Sequence, residues 1–401
     1  MTLTAIKPAN FRWFQYEGFT FCLGLSEGDA GWTSGNTSAA MDESVGKMTV
    51  SGTMQEQASI AYEKVLTILA AAGFGIEDVT RITENVTLSG LDDYAAAAAV
   101  RRDLFGGHEP SVRTVIVERL VRRAAYLEVE LHALRGGGSM LVSSAEVGAG
   151  AINGSPVREG FDGIVHLPTI VPIGADGAVV HEGDVVAQYA WCVDRAGELL
   201  AAAGLSFDAV VTVYDYSTPV TRDALAGCVD VRRDRFSGSA VLPAAGSILI
   251  TRLHLPGVLV SVDVSASRHP KQKVDPGWGR YDALACSPAV RAGRTLFVSG
   301  VSALDPATGE LTVGDVGAQS AAAYGSLVAL LEHEKLGTAD LLETTEYCVE
   351  TAIPDYRAVA GVRADLLSPP WPASTGAICV GLVHPDVLLE VFSSALYPEQ
   401  V

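Results

Sequence analysis

The chain has 401 residues, 48% hydrophobic and 19% charged. Sequences this apolar bury sizeable cores, and the length suits two to four domains of roughly 100–200 residues rather than one. Twenty-eight Lys and Arg stand against 47 Asp and Glu, a formal charge of −19, which repels phosphate backbones and anionic lipid and argues against a nucleic-acid or membrane partner. No apolar run reaches the roughly 18 residues of a membrane span. Residues 1–14 lack the charged start and apolar stretch of a secretion signal, so a cytoplasmic location is expected. Cys22, Cys192, Cys228, Cys286, Cys348 and Cys379 contain no CxxC pair, and are read as reduced, mostly buried thiols.

One unit recurs along the chain. In the first copy, Ala61, Val65, Ile68, Leu69 and Ala72 fall on one face of a predicted helix that ends at Ala71-Ala72-Gly73. The same stripe returns 131 residues later as Cys192, Ala196, Leu199, Leu200 and Ala203, before Ala202-Ala203-Gly204. It returns again as Ala323, Leu327, Leu330 and Leu331, with Glu334 breaking the series at the helix end. β-rich stretches follow at 79–88, 210–216 and 341–349, then second helices at 93–105, 224–236 and 355–367. A proline (Pro110, Pro243, Pro372) precedes two further apolar runs, and the second run ends 20 residues after it in every copy, at Glu130, Asp263 and Phe392.

The unit therefore reads ββαβαββ, three times, an α+β fold with domains expected at 1–138, 139–270 and 271–401. The breaks fall at Arg135-Gly136-Gly137-Gly138-Ser139, read as flexible, and at 267–279, which holds Pro270 and Pro276. A sheet with both helices on one face must hide the other face, and three tandem copies can do so around a pseudo-threefold axis, leaving the chain a monomer shaped as a trimer.

Each unit resembles the Rid family, also called YjgF-type reactive-intermediate deaminases. The first copy carries the resemblance in Trp32-Thr33-Ser34-Gly35, Gln57, Ala71-Ala72-Gly73, Asp93-Tyr94 and Glu128-Val129-Glu130. The third carries it in Val298-Ser299-Gly300, Asp305-Pro306, Gln319 and Asp355-Tyr356. The second keeps Gln188 and Ala202-Ala203-Gly204 but has Leu167-Pro168 in place of Ser-Gly. The resemblance implies the chorismate-mutase-like fold, a trimer with a cleft at each interface, and hydrolysis of an enamine or imine to release ammonia without a cofactor. This chain resembles that trimer written as one polypeptide.

The family arginine that grips a substrate carboxylate should stand two residues after the strand proline, where this chain has Val112, Ala245 and Ser374. Arg113 lies one residue later. It keeps the family's Arg-Thr pair with Thr114, which also takes the family's water-holding position; the alternative for Arg113 is a salt bridge. The family's terminal acid maps onto Glu130, Asp263 and Phe392. Glu130 is therefore the first catalytic candidate and Asp263 the second, against a plain reading of Glu130 and Glu128 as paired charges on a solvated strand. Glu390 survives at the position of Glu128. Ser34 and Ser299, at strand ends before glycine, are candidates for substrate contact or plain turn serines.

The eight histidines show no HxH or HExxH spacing and no Cys/His ligand set, so neither metal nor organic cofactor is expected. The leading expectation is an enzyme acting on a reactive enamine or imine by hydrolysis, dehydration or cyclisation, in a specialised pathway and with a small-molecule substrate other than simple 2-aminoacrylate. The alternatives are a non-catalytic module that binds a small ligand or partner, and a chorismatase-like hydrolase. The cleft holding Glu130 is expected to be the live one, with Ser34, Arg113 and Thr114 contributing.

Overall fold

The computed structural model describes residues 3–399. Its three large sheets share one plan. In the first, the order is Thr4–Ala5, Gly24–Glu27, Ala30–Thr33, Leu127–Leu134, Val79–Thr87, Ser111–Val117. The central strand Val79–Thr87 runs antiparallel to Leu127–Leu134 and parallel to Ser111–Val117. Val210–Ser217 and Leu341–Val349 hold the same places in the second and third sheets, each between an antiparallel and a parallel neighbour.

The long helices are Met54–Ala71, Val185–Ala202 and Val316–His333. They begin where a side-chain oxygen can accept from a free N–H: Thr53 with Glu56 forms a capping box, and Asp184 and Asp315 cap the other two. The expected stripe is buried, with Ala61, Val65, Ile68 and Leu69 at 0% exposure, whereas Ala72 and Glu334 at the helix ends are only half-buried. Gln57, Gln188 and Gln319 each accept from a backbone N–H just before or at the start of the unit's last strand, those of Tyr126, Leu259 and Leu388, and donate to a nearby carbonyl. The motif glutamine thus ties the long helix to the last strand.

Each sheet holds one buried acid midway along its central strand, met by an arginine from the second helix: Glu84 with Arg101, Asp215 with Arg232, Glu346 with Arg363. Acids and arginines both recur every 131 residues. Tyr62 and Tyr94 donate to Glu84, and Tyr324 and Tyr356 to Glu346. The Asp-aromatic helix starts therefore supply a hydroxyl to a buried carboxylate, which needs several donors to offset its desolvation.

Strand exchange closes the three sheets into a ring. Arg119–Leu120 of the first unit extends the third sheet beside Ala373–Cys379, and Gly381–Leu382 of the third extends the second beside Ala244–Leu249. The second returns to the first where the Thr251 N–H donates to Glu118. Asn85, Tyr216 and Tyr347, at matching positions, meet inside the ring, the two tyrosine oxygens 3.0 Å apart.

Two details differ from the expected linkers. Gly136, Gly137 and Gly138 all have positive φ, and a Cβ on Gly138 would lie 2.0 Å from the Glu159 carbonyl oxygen; this is a tight crossing that admits only glycine, not a loose tether. Within 267–279, Lys271–Val274 is a strand on the edge of the third sheet. All six cysteines are free and buried, and among the described residues no helix is long and apolar enough to cross a membrane.

Candidate functional site

Where the last strand of one unit faces the parallel edge strand of the next, a cleft forms, and the three clefts differ. Between the first and third units lies a cavity of about 300 Å³. Phe14, Phe19, Phe21 and Met41 form an apolar wall, and Gly35, Glu128, Tyr356 and Ser374 are among the residues that line the other sides. The Gly35 N–H donates to Thr375 Oγ1 at 3.1 Å. A Cβ at Gly35 would stand 2.6 Å from that oxygen and 2.8 Å from the Glu128 carboxyl carbon, so glycine is required for the carboxyl to reach this wall.

Glu128 is buried, and its Oε2 has no protein hydrogen-bond partner. Burial, reinforced by Glu130 two residues along, pushes its carboxyl up to about 8, with Lys64 opposing. Lys64 donates to the carbonyls of Thr37 and Ala39, and its burial brings it down to about 7. The cleft thus holds an acid and an amine that both change charge near neutrality.

The other two clefts are occupied by side chains. Between the first and second units Ser261 takes the place of Glu128, and Asn153 bridges Thr114 Oγ1 and Tyr94, each at 2.8 Å. Between the second and third, Phe392 stacks on Tyr214 with ring centres 4.4 Å apart, while Tyr281 donates to the Gly300 carbonyl. Glu390 is pressed so close to Gly300 that a Cβ there would be 1.9 Å from its Oε1.

The expected constellation of Glu130, Ser34, Arg113 and Thr114 is divided. Glu130 shares the strand face of Glu128 but points inward, taking a bond from Asn85 at 3.4 Å; burial and Glu343 raise it to about 7. Arg113 sits on the edge strand facing the second unit, where it donates to Ser265 Oγ and the Val264 carbonyl, and so belongs with Asp263 rather than Glu130. Burial raises Asp263, against the pull of Arg113 and a bond from Thr169.

Ser34 and Ser299 do not line the cavity between the first and third units. Each hydroxyl accepts a neighbouring unit's backbone N–H, from Ser374 and Ala245 respectively, and donates to a carbonyl of its own unit. They are clamps between units, because the edge strand of the next unit runs past them with its N–H unpaired. Thr114 is likewise structural: its hydroxyl meets Tyr94 and Asn153.

Residues the sequence left unmarked include Lys64 and Thr375, which reach the cleft only through folding. The Glu84–Arg101 pairs did carry a signal, the same 131-residue period as the helix stripe. Among the described residues no group of three or more His, Cys, Asp or Glu is placed to hold a metal ion.

Three repeated α+β sheets closed into a ring, with a cleft at each junction, define a single-chain pseudo-trimer. The model of the Endoribonuclease L-PSP family matches residues 25–135 and 281–396, more than half of the chain, and the chain belongs to that family. A RutC family protein of Pyrococcus horikoshii is 30% identical over 105 residues, 26% of this chain and 81% of the relative. The solved structure of a chorismatase shares the fold over 80% of this chain and 93% of its own, with 15% identity and a TM-score of 0.52. The structure of E. coli TdcF with bound serine covers 33% of this chain and 98% of its own, at 27% identity and a TM-score of 0.28.

Proposed function

We propose that the cavity between the first and third units is the reaction site of a cofactor-independent enzyme that hydrolyses a small reactive imine or enamine. The observation that carries the reading is Glu128: buried, with one oxygen unpartnered, on the wall of a ligand-sized cavity. Raised to about 8, its carboxyl is mostly protonated at neutral pH and suited to give up a proton. The proton goes to the imine nitrogen, or to the enamine β-carbon to form the same iminium ion. Water adds to the iminium carbon, and the Glu128 carboxylate takes the proton the water loses. Glu128 then passes that proton to the amine nitrogen of the carbinolamine, and as the C–N bond breaks the hydroxyl oxygen forms the carbonyl and returns its proton to the Glu128 carboxylate, leaving a carbonyl compound and ammonia. Glu128 ends as it began.

Ser374 stands at the position of the family arginine, and the far wall is aromatic. Both features favour a bulky apolar imine over a small carboxylate-bearing one. The test uses imines generated in situ from aromatic alkylamines and from small amino acids, with ammonia release followed over the spontaneous rate. Glu128→Gln is expected to lose about 10²–10⁴-fold and Glu130→Gln about tenfold or less. Equal losses, or the reverse order, sink the assignment.

The fold match across 80% of the chain supports a second reading, a chorismatase-like hydrolase. Incubation with chorismate separates the two: consumption of chorismate without ammonia favours the second, and ammonia from imines the first.

A further inference from the structure

Inside the ring, where the three sheets face one another, lies a chamber of about 110 Å³, distinct from the cavity at Glu128. A β-bulge at the same point of each central strand turns Arg81, Thr212 and Glu343 toward it. Its other charged walls are Arg113, Glu130 and Asp263.

We propose that this chamber is a second ligand site and takes one small carboxylate, of formate or acetate size, between Arg81 and Arg113. The unpaired polar atoms come first. Arg81 Nε, Arg113 Nε, Ser393 Oγ and His166 Nδ1 are buried there without a protein hydrogen-bond partner. A guanidinium Nε can only donate, and burying it unpaired is costly, so both arginines present an unanswered demand for an acceptor. A planar carboxylate meets such demand in pairs of parallel bonds.

Charge points the same way. Arg81 is already matched by Glu343, 3.4 Å away. Burial alone would raise Glu343, but the Arg81 guanidinium and a hydrogen bond from His132 hold its carboxyl well below the usual range. Arg113 has no carboxylate within ion-pair distance among the described residues and is held only by Ser265 and a carbonyl. The remaining acids, Glu130 and Asp263, are both shifted toward their neutral forms by burial. His132 and His166 are shifted toward theirs by burial and the two arginines. Arg113 is therefore the guanidinium of the chamber without a paired carboxylate at bonding distance among the described residues. The chamber's volume admits a few heavy atoms, which sets the size of the anion.

The test is calorimetric titration of the full chain with sodium acetate and with sodium formate against a chloride background. One saturable site per chain is expected, retained in Glu128→Gln and weakened at least tenfold in Arg113→Gln. No saturable binding, unchanged binding by Arg113→Gln, or loss of binding in Glu128→Gln would overturn the proposal. A crystal of the unaltered protein soaked in acetate gives an answer independent of how the variant folds. Acetate bridging Arg81 and Arg113 supports the site; water alone in the chamber, or acetate only beside Gly35 and Glu128, refutes it. Imine hydrolysis enters none of these readouts, so the two proposals fail separately.

Discussion

The cleft between the first and third units and the cleft between the second and third start from the same parts. Both have a Ser-Gly pair, Ser34-Gly35 just past the end of Ala30–Thr33 in one and Ser299-Gly300 within Thr295–Ser302 in the other, and both place a glutamate opposite the glycine, Glu128 or Glu390. In the first, the acid borders a cavity of about 300 Å³. In the second, Phe392 and Tyr281 fill the space around Gly300. A shared motif thus yields an open site or a packed interface according to what the neighbouring strand and loop bring to it. A symmetric homotrimer cannot make that choice cleft by cleft, because one mutation changes all three; a fused chain can.

The sharpest way to break this comparison is to add one methyl group to each glycine. Gly35→Ala is expected to lower turnover at least about 100-fold by displacing the Glu128 carboxyl and Thr375, since misplacement by about 1 Å costs that much. Gly300→Ala should instead cost about 1–3 kcal/mol of stability through overpacking and leave turnover unchanged. Ammonia release and urea unfolding measured on both variants decide it, and a loss of turnover in Gly300→Ala without loss of stability would invert the roles.

The buried acid pairs allow a second comparison. Glu84 takes bonds from Tyr62, Tyr94 and Arg101, whereas Asp215 meets Arg232 at 3.3 Å and has fewer donors. Arg101→Met should destabilise by about 3–5 kcal/mol, because it strands a buried carboxylate, and Arg232→Met by less. Chemical denaturation gives both values.

Third comes pH. Folding raises Glu128 from the ordinary range to about 8 and Glu390 to about 7, so both favour the folded state in protonated form. Their contribution is complete below about pH 4, the usual carboxylate range, and is lost as pH rises through 7 to 8. Glu128→Gln and Glu390→Gln should therefore each gain about 1–3 kcal/mol over the unaltered protein at pH 9 and almost nothing at pH 4. Only Glu128 should also appear in the rate, which is expected to fall as pH rises above about 8. A rate that climbed through that range would remove Glu128 as the proton donor.

The smallest effects belong to the interunit clamps. Ser34→Ala and Ser299→Ala each remove an acceptor for a neighbouring N–H and should cost about 1–2 kcal/mol apiece, read as a lower unfolding midpoint. Turnover in Ser299→Ala should stay within about twofold of the unaltered protein.

Much of the architecture was legible before any coordinates. The helix stripe, the three glutamines and the proline-to-acid spacing recur because each unit must bury the same helix face and turn at the same places. Strand alternation also put Glu128 and Glu130 on one face correctly. What alternation does not contain is where along that face a neighbouring unit ends. Glu128 and Glu130 are one strand period apart, yet the first meets the outer cavity and the second the inner chamber.

Arg113 shows the same limit. Its place next to Thr114 in the sequence suggested a partner for Glu130, but its strand lies at the edge of the first sheet and faces Ser265 of the second unit. Local periodicity and repeat spacing are properties of the chain itself, so the fold of each unit and the number of copies follow from the sequence. Which acid meets which arginine depends on how the sheets join into a ring, and contacts between residues more than 130 positions apart leave no spacing to read. Only the tertiary structure decided that one cleft opens around Glu128 while the arginines turn inward.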